Sequence, residues 1–130
     1  MIPDVDGHRI SLGQREGLAF FEDGEVASYK AFSIGDSIAG RGGWAQVYAL
    51  FTFVDGSTII TSFHQVNEPD PEGKFAQNSK VTGEIIKGTI RFEGIKGSIS
   101  GEGKQVKAEK GEPTGKSTFS YILTYTPPPK

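Results

Sequence analysis

The residues with chemistry to offer cluster in one run, "GWAQVYALFTFVDGSTIITSFHQV", from Gly43 to Val66. Its first half alternates, so Trp44, Gln46, Tyr48, Leu50 and Thr52 share one face of a strand and Ala45, Val47, Ala49, Phe51 and Phe53 the other. The first set combines large apolar walls with hydrogen-bonding tips, the mix that lines small-molecule pockets. The second is uniformly apolar and suits a packed core or a subunit interface. In the second half, His64 is the only histidine inside an expected strand, and imidazole can serve as acid or base near neutral pH. The register there is open: either Phe63, or His64 with Ser62, shares the Trp44 face. Two readings follow. In one, Trp44, Gln46, Tyr48, Ser62, His64 and a distant Tyr121 bind a ligand, with His64 and Tyr48 as the catalytic pair if turnover occurs. In the other, Trp44 and the tyrosines fill the interior with their polar ends at its mouths, and His64 is a hydrogen-bonded structural residue.

Other chemistries fail on residue type or spacing. There is no cysteine, which removes disulfides, thiolate metal sites and a thiol nucleophile. Two histidines without a carboxylate cluster do not make a zinc site. Glu68, Asp70 and Glu72 are interrupted by prolines and lack the EF-hand pattern, so no metal is expected. "KGEPTGKST" imitates a phosphate loop, but its glycines enclose three residues where the motif needs four, and a strand pattern follows it rather than a helix. "GSISG", Gly97 to Gly101, has the wrong internal spacing for a nucleophile elbow. No cofactor is expected.

The elements that position these residues read as β-structure throughout. Asp55-Gly56 sits between two alternating runs, and Asp23-Gly24 sits between Gly17–Phe21 and Val26–Phe32, so both mark hairpins with turns of the primed kind. The last run, "KSTFSYILTYT", places Phe119, Tyr121, Leu123 and Tyr125 on one face and ends at a proline-rich tail, residues 127–130. The glycines of "GTIRFEGIKGSISGEGK", Gly88 to Lys104, lie among large apolar residues with no helix after them; they bend a sheet and cradle no phosphate. "NEPDPEGKFAQNSK" is one long loop, a lid over one end of the sheet or a plain excursion, and "KAEKGEPTGK" is a second polar loop. Seven or eight strands fit 130 residues as a single domain, 1–130.

The order of an aromatic strand, a "DGS" hairpin, then "VTGEIIKGTIRFEGIKGSISGEGK" and a tyrosine-rich last strand resembles the allene oxide cyclase-like β-barrel superfamily, over roughly Gly42 to Lys104. The resemblance implies an all-β, closed antiparallel barrel of about eight strands, calycin-like, with a central cavity and frequent oligomerisation. It carries no catalytic residue over, because neither Glu16 nor Glu22 sits in the family's motif.

The expected function is binding of a small apolar or amphiphilic molecule in the barrel lumen. The alternative is a cofactor-free isomerase or cyclase that shapes a flexible apolar substrate there. The formal charge of −2 and the lack of a basic stretch interleaved with stacking aromatics argue against nucleic acid. No run approaches the ~20 apolar residues of a membrane helix, and "MIPDVDGHRI" shows no signal peptide, so a cytoplasmic protein is expected. A homo-oligomer, dimer or trimer, is the expected assembly.

Overall fold

The computed structural model describes residues 2–107 and 117–126. Residues 111–116 of the phosphate-loop imitation and most of the second polar loop lie outside the described residues, as does the proline tail. Seven strands form one antiparallel sheet in chain order: β1 (His8–Phe20), β2 (Val26–Ile38), β3 (Gly42–Phe53), β4 (Thr58–Glu68), β5 (Gln77–Thr89), β6 (Lys96–Gln105) and β7 (Ser117–Thr126). A 3-10 turn at Ile90–Phe92 is the only helical piece among the described residues.

Both Asp-Gly hairpins form, but with three-residue loops rather than the two-residue turns expected. Phe53 N–H donates to the Ser57 carbonyl at 2.8 Å across Val54–Gly56, and Phe21 N–H donates to the Glu25 carbonyl at 2.9 Å across Glu22–Gly24. Gly56 (φ 87°) and Gly24 (φ 91°) take the left-handed conformation that closes such a loop. In each loop the aspartate accepts from the backbone N–H two residues on, Ser57 for Asp55 and Glu25 for Asp23, both at 2.9 Å. The extra residue sets the register, pairing Gln46 with His64 and Val47 with Phe63.

Burial divides the faces cleanly on the middle strands. Val47, Ala49, Phe51 and Phe53 of β3 are buried with Ile59 and Phe63 of β4, Val81 and Ile85 of β5, and Ile99 of β6. This is the uniformly apolar set, and its sequestration drives the sheet to wrap around it. The wrap is tight enough that β7 faces β2, β3 and β4 across the interior. Tyr121 packs against Phe51 (6.4 Å between ring centroids) and Phe63 (5.9 Å), and its hydroxyl reaches that of Tyr29 on β2. Glycine makes room for these rings. A Cβ on Gly103 would run into the Phe119 ring; one on Gly83 would strike the Ser62 carbonyl and the Phe63 Cα, so there glycine permits the close approach of β4 and β5.

The expected closure is not reached by the described strands. β1 and β7 are the two edges of the sheet and make no ladder with each other. β1 offers β7 an inner row of Gly13, Arg15 and Gly17, which rewards closure with little apolar area. The interior under β3–β6 is packed with rings instead of hollow, and its accessible part is the strip between the two edges.

Candidate functional site

On β1, every residue from Arg9 to Leu18 is exposed. A Cβ on Gly17 would meet nothing within 4 Å, and one on Gly13 would meet only the Ser33 hydroxyl. The inner face of β1 is therefore an open trough floored by backbone. Its opposite wall is the inner row of β7, where Phe119 stacks on Tyr121 (5.6 Å between centroids, 4° between planes) and Leu123 continues the row. Arg15 reaches across the trough, its guanidinium carbon 5.4 Å from the centre of the Phe119 ring.

At the head of the trough the hydroxyls of Tyr29 and Tyr121 share a hydrogen bond of 3.1 Å. Burial pushes both phenols above their usual range, and the nearby positive charge of Arg15 opposes that push on each. The two hydroxyls therefore stay protonated. The pair carries two protons and its mutual bond uses one, so one O–H remains to donate to a guest. A second polar group lies on the inner rows at another level. Gln65 and Ser79, both buried, donate to the Asn67 side-chain oxygen at 2.8 and 2.6 Å. The strand carboxylates and imidazoles (His8, Glu16, Asp36, His64, Glu68, Glu84 and Glu102) all fall on the outer rows of the ladder. The trough thus holds hydrogen-bond donors and a cation, and no strand-borne base.

Of the residues expected to line the interior, only Tyr121 does. Trp44, Gln46, Tyr48, Ser62 and His64 are brought together, but on the outer face, because the three-residue hairpin matches even-numbered with even-numbered positions and the apolar odd set takes the core. There Trp44 stacks on His64 (5.8 Å, 22°), and Gln46 donates to the Ser62 hydroxyl at 2.9 Å. Trp44 and Tyr48 remain 44% and 50% exposed, so His64 and Tyr48 are not enclosed as an acid–base pair would be.

Arg15 and Tyr29 were not singled out by the sequence. The available signal was "VASYKAF", where Ala27, Tyr29 and Ala31 share a face opposite Lys30, a lone tyrosine between two small residues. His8, the first residue of β1, is clasped by two carboxylates. Its two ring nitrogens meet Asp4 and Asp36 carboxylates at 2.6 Å each, which raises its pKa. The Asp70 carboxylate is spent on its own loop, accepting from the Lys74 and Phe75 backbone N–H groups at 2.9 Å each. No cluster of three metal-ligating side chains occurs among the described residues.

A shallow groove of about 370 Å³ runs along the outer face of β4–β7 beside Lys80, Glu102 and Lys104, and a smaller one of about 190 Å³ lies between Arg9, the β2–β3 turn and Pro69. The 69–76 loop thus abuts the β2–β3 turn, away from the trough. Among the described residues no helix is long and apolar enough to cross a membrane. Compared with family models, curated proteins and solved structures, the chain matches none.

Proposed function

We propose that the protein binds a small amphiphilic organic molecule in the trough between β1 and β7 and releases it unchanged. The apolar part of the guest lies on the backbone of Gly13 and Gly17 against Phe119, Tyr121 and Leu123. Its oxygen-bearing end, neutral or anionic, takes the free phenolic proton and the Arg15 guanidinium. The observation that carries this reading is the hydroxyl pair of Tyr29 and Tyr121 at 3.1 Å, set with a cation among rings and beside empty space. A guest touching both walls supplies the apolar contact that Gly13 and Gly17 lack. The closed barrel is then the filled limit of this wrap, with the edges drawn together around the guest. Binding is favoured over isomerisation because the inner rows present proton donors but no strand carboxylate or imidazole to take a proton from carbon.

The test is a fluorescence titration with 1-anilinonaphthalene-8-sulfonate, an aromatic anion of suitable chemistry. Gly17→Leu fills the trough at a position with room for the side chain, and Arg15→Gln removes the cation. Each is expected to weaken binding about tenfold or more, the effect of losing some 1.4 kcal/mol. Leu18→Glu, on the outer face of the same strand, should leave it unchanged. Equal affinity for wild type, Gly17→Leu and Arg15→Gln would remove the proposal.

A further inference from the structure

The outer face of β1–β3 carries apolar side chains where a monomer in water would carry polar ones. Ile10 is 60% exposed, Leu12 82%, Phe32 47%, Ile34 54%, Trp44 44% and Tyr48 50%. The ladder makes them neighbours: Leu12 stands opposite Ile34, Phe32 opposite Tyr48, and Trp44 one row away beside Asp36. Large side chains of these types present roughly 150–250 Å² each when free, so the exposed fractions sum to about 700 Å². That exceeds the ~300–600 Å² of the largest apolar patch on a typical monomer.

We infer that this face is where a second copy of the same chain docks, giving a two-fold symmetric dimer of face-to-face sheets. Two observations select a second copy over an unlike partner. Two such patches pressed together remove about 1,400 Å² from water, inside the ~1,200–2,000 Å² of a stable interface. The charges at the margins are also largely offset within the chain. Glu16 pairs with Lys30 at 3.6 Å at one end, and at the other His8 sits between Asp4 and Asp36, which leaves a small negative excess there. The face therefore displays no cluster of positive charge that would select a nucleic acid or an anionic bilayer. The stack of Trp44 on His64 and the Gln46–Ser62 hydrogen bond fix the polar side of the patch in advance, so little rotamer freedom is lost on docking. A two-fold interface uses the same patch on both copies.

The dimer does not depend on the trough, which lies on the opposite face of β1. Sedimentation equilibrium over a wide concentration range is the test, with emission of Trp44, the chain's single tryptophan, as a local reporter. The wild-type chain is expected to weigh twice the monomer at about 100 µM, since standard-size interfaces bind at micromolar or tighter affinity. Its Trp44 emission should move to shorter wavelength as dimer forms. Ile34→Lys and Leu12→Glu should sediment as monomers with an unshifted spectrum. Both positions are exposed, so circular dichroism should show the same fold. Gln14→Pro, at a position whose N–H faces the free edge of β1, should still dimerise. A monomeric wild type, surface variants that associate like wild type, or loss of the dimer only in Gln14→Pro would each overturn the inference, the last in favour of edge-to-edge pairing. A Trp44 shift produced by a lipid vesicle or another protein with no self-association would overturn it in favour of that occupant.

Discussion

Removing the two interior hydroxyls one at a time and then together is the sharpest probe of the wrap. Tyr29 and Tyr121 stand on β2 and β7, far apart in the ladder, and their 3.1 Å contact exists only because the sheet curls until these strands face each other. Tyr121→Phe leaves the Tyr29 hydroxyl in a partly buried place without its partner, and Tyr29→Phe does the same to Tyr121. Leaving a buried polar group unsatisfied costs about 1–3 kcal/mol, and because both side chains keep some access to water the low end applies, about 1–1.5 kcal/mol each. Removing both leaves two rings of nearly the same shape with nothing to satisfy, so the double variant should lose little more than either single one. The coupling energy is then about 1 kcal/mol in favour of the pair. Urea unfolding followed by far-ultraviolet circular dichroism reads this directly. With a slope of about 1–3 kcal/mol per molar, each single variant should lower the midpoint by about 0.3–1.5 M. Strictly additive losses would mean that the hydroxyls do not meet and that β7 does not lie across the interior from β2.

Other consequences concern stability and are measurable separately. His8 has a folded pKa raised above 6.5 by Asp4 and Asp36, so its contribution is complete below about pH 6.5 and is lost as pH rises through the raised value. As pH rises above about 6.5, the melting temperature of wild type should therefore fall by more than that of His8→Gln; parallel curves would refute the clasp. Phe51→Ala, which empties the centre of the ring cluster, should cost about 3–5 kcal/mol in a denaturant titration, whereas Val54→Ala in the β3–β4 turn should cost under about 0.5. Arg91 pairs with Glu25 and Asp55 and covers Phe53 and Phe92, joining the turns after β1 and β3. Arg91→Ala should speed amide exchange in both turns more than in the β5–β6 strands, and a uniform change would contradict this bridging role.

The strands were legible in the sequence because alternation, glycine and Asp-Gly pairs are local signals. The apolar set Val47–Phe53 could be read as a packed surface, core or interface, and the glycines near Gly88–Lys104 as relief for a coiling sheet, since both readings need only residue size. Which residues faced the interior depended on one residue of loop length. A two-residue turn at Asp55-Gly56 would pair Tyr48 with Phe63, and the three-residue loop pairs it with Ser62, which moves His64 to the outer face with Trp44. Asp-Gly is compatible with both loops, so the dipeptide does not decide between them. The Arg15–Tyr29–Tyr121 cluster was invisible for a different reason. Its members come from β1, β2 and β7, and only the closing curl of the whole sheet brings the first and last strands within reach of each other. The clasp on His8 is likewise made by Asp36, 28 residues away across the β1–β2 pair.

The most direct measurement is a map of where a guest sits. Amide chemical shifts of the labelled protein, followed while 1-anilinonaphthalene-8-sulfonate is added, should move at Gly13, Arg15, Gly17, Tyr29, Phe119 and Tyr121. Shifts confined to Trp44, Gln46, Tyr48, Ser62 and His64, with the β1–β7 trough silent, would contradict the account.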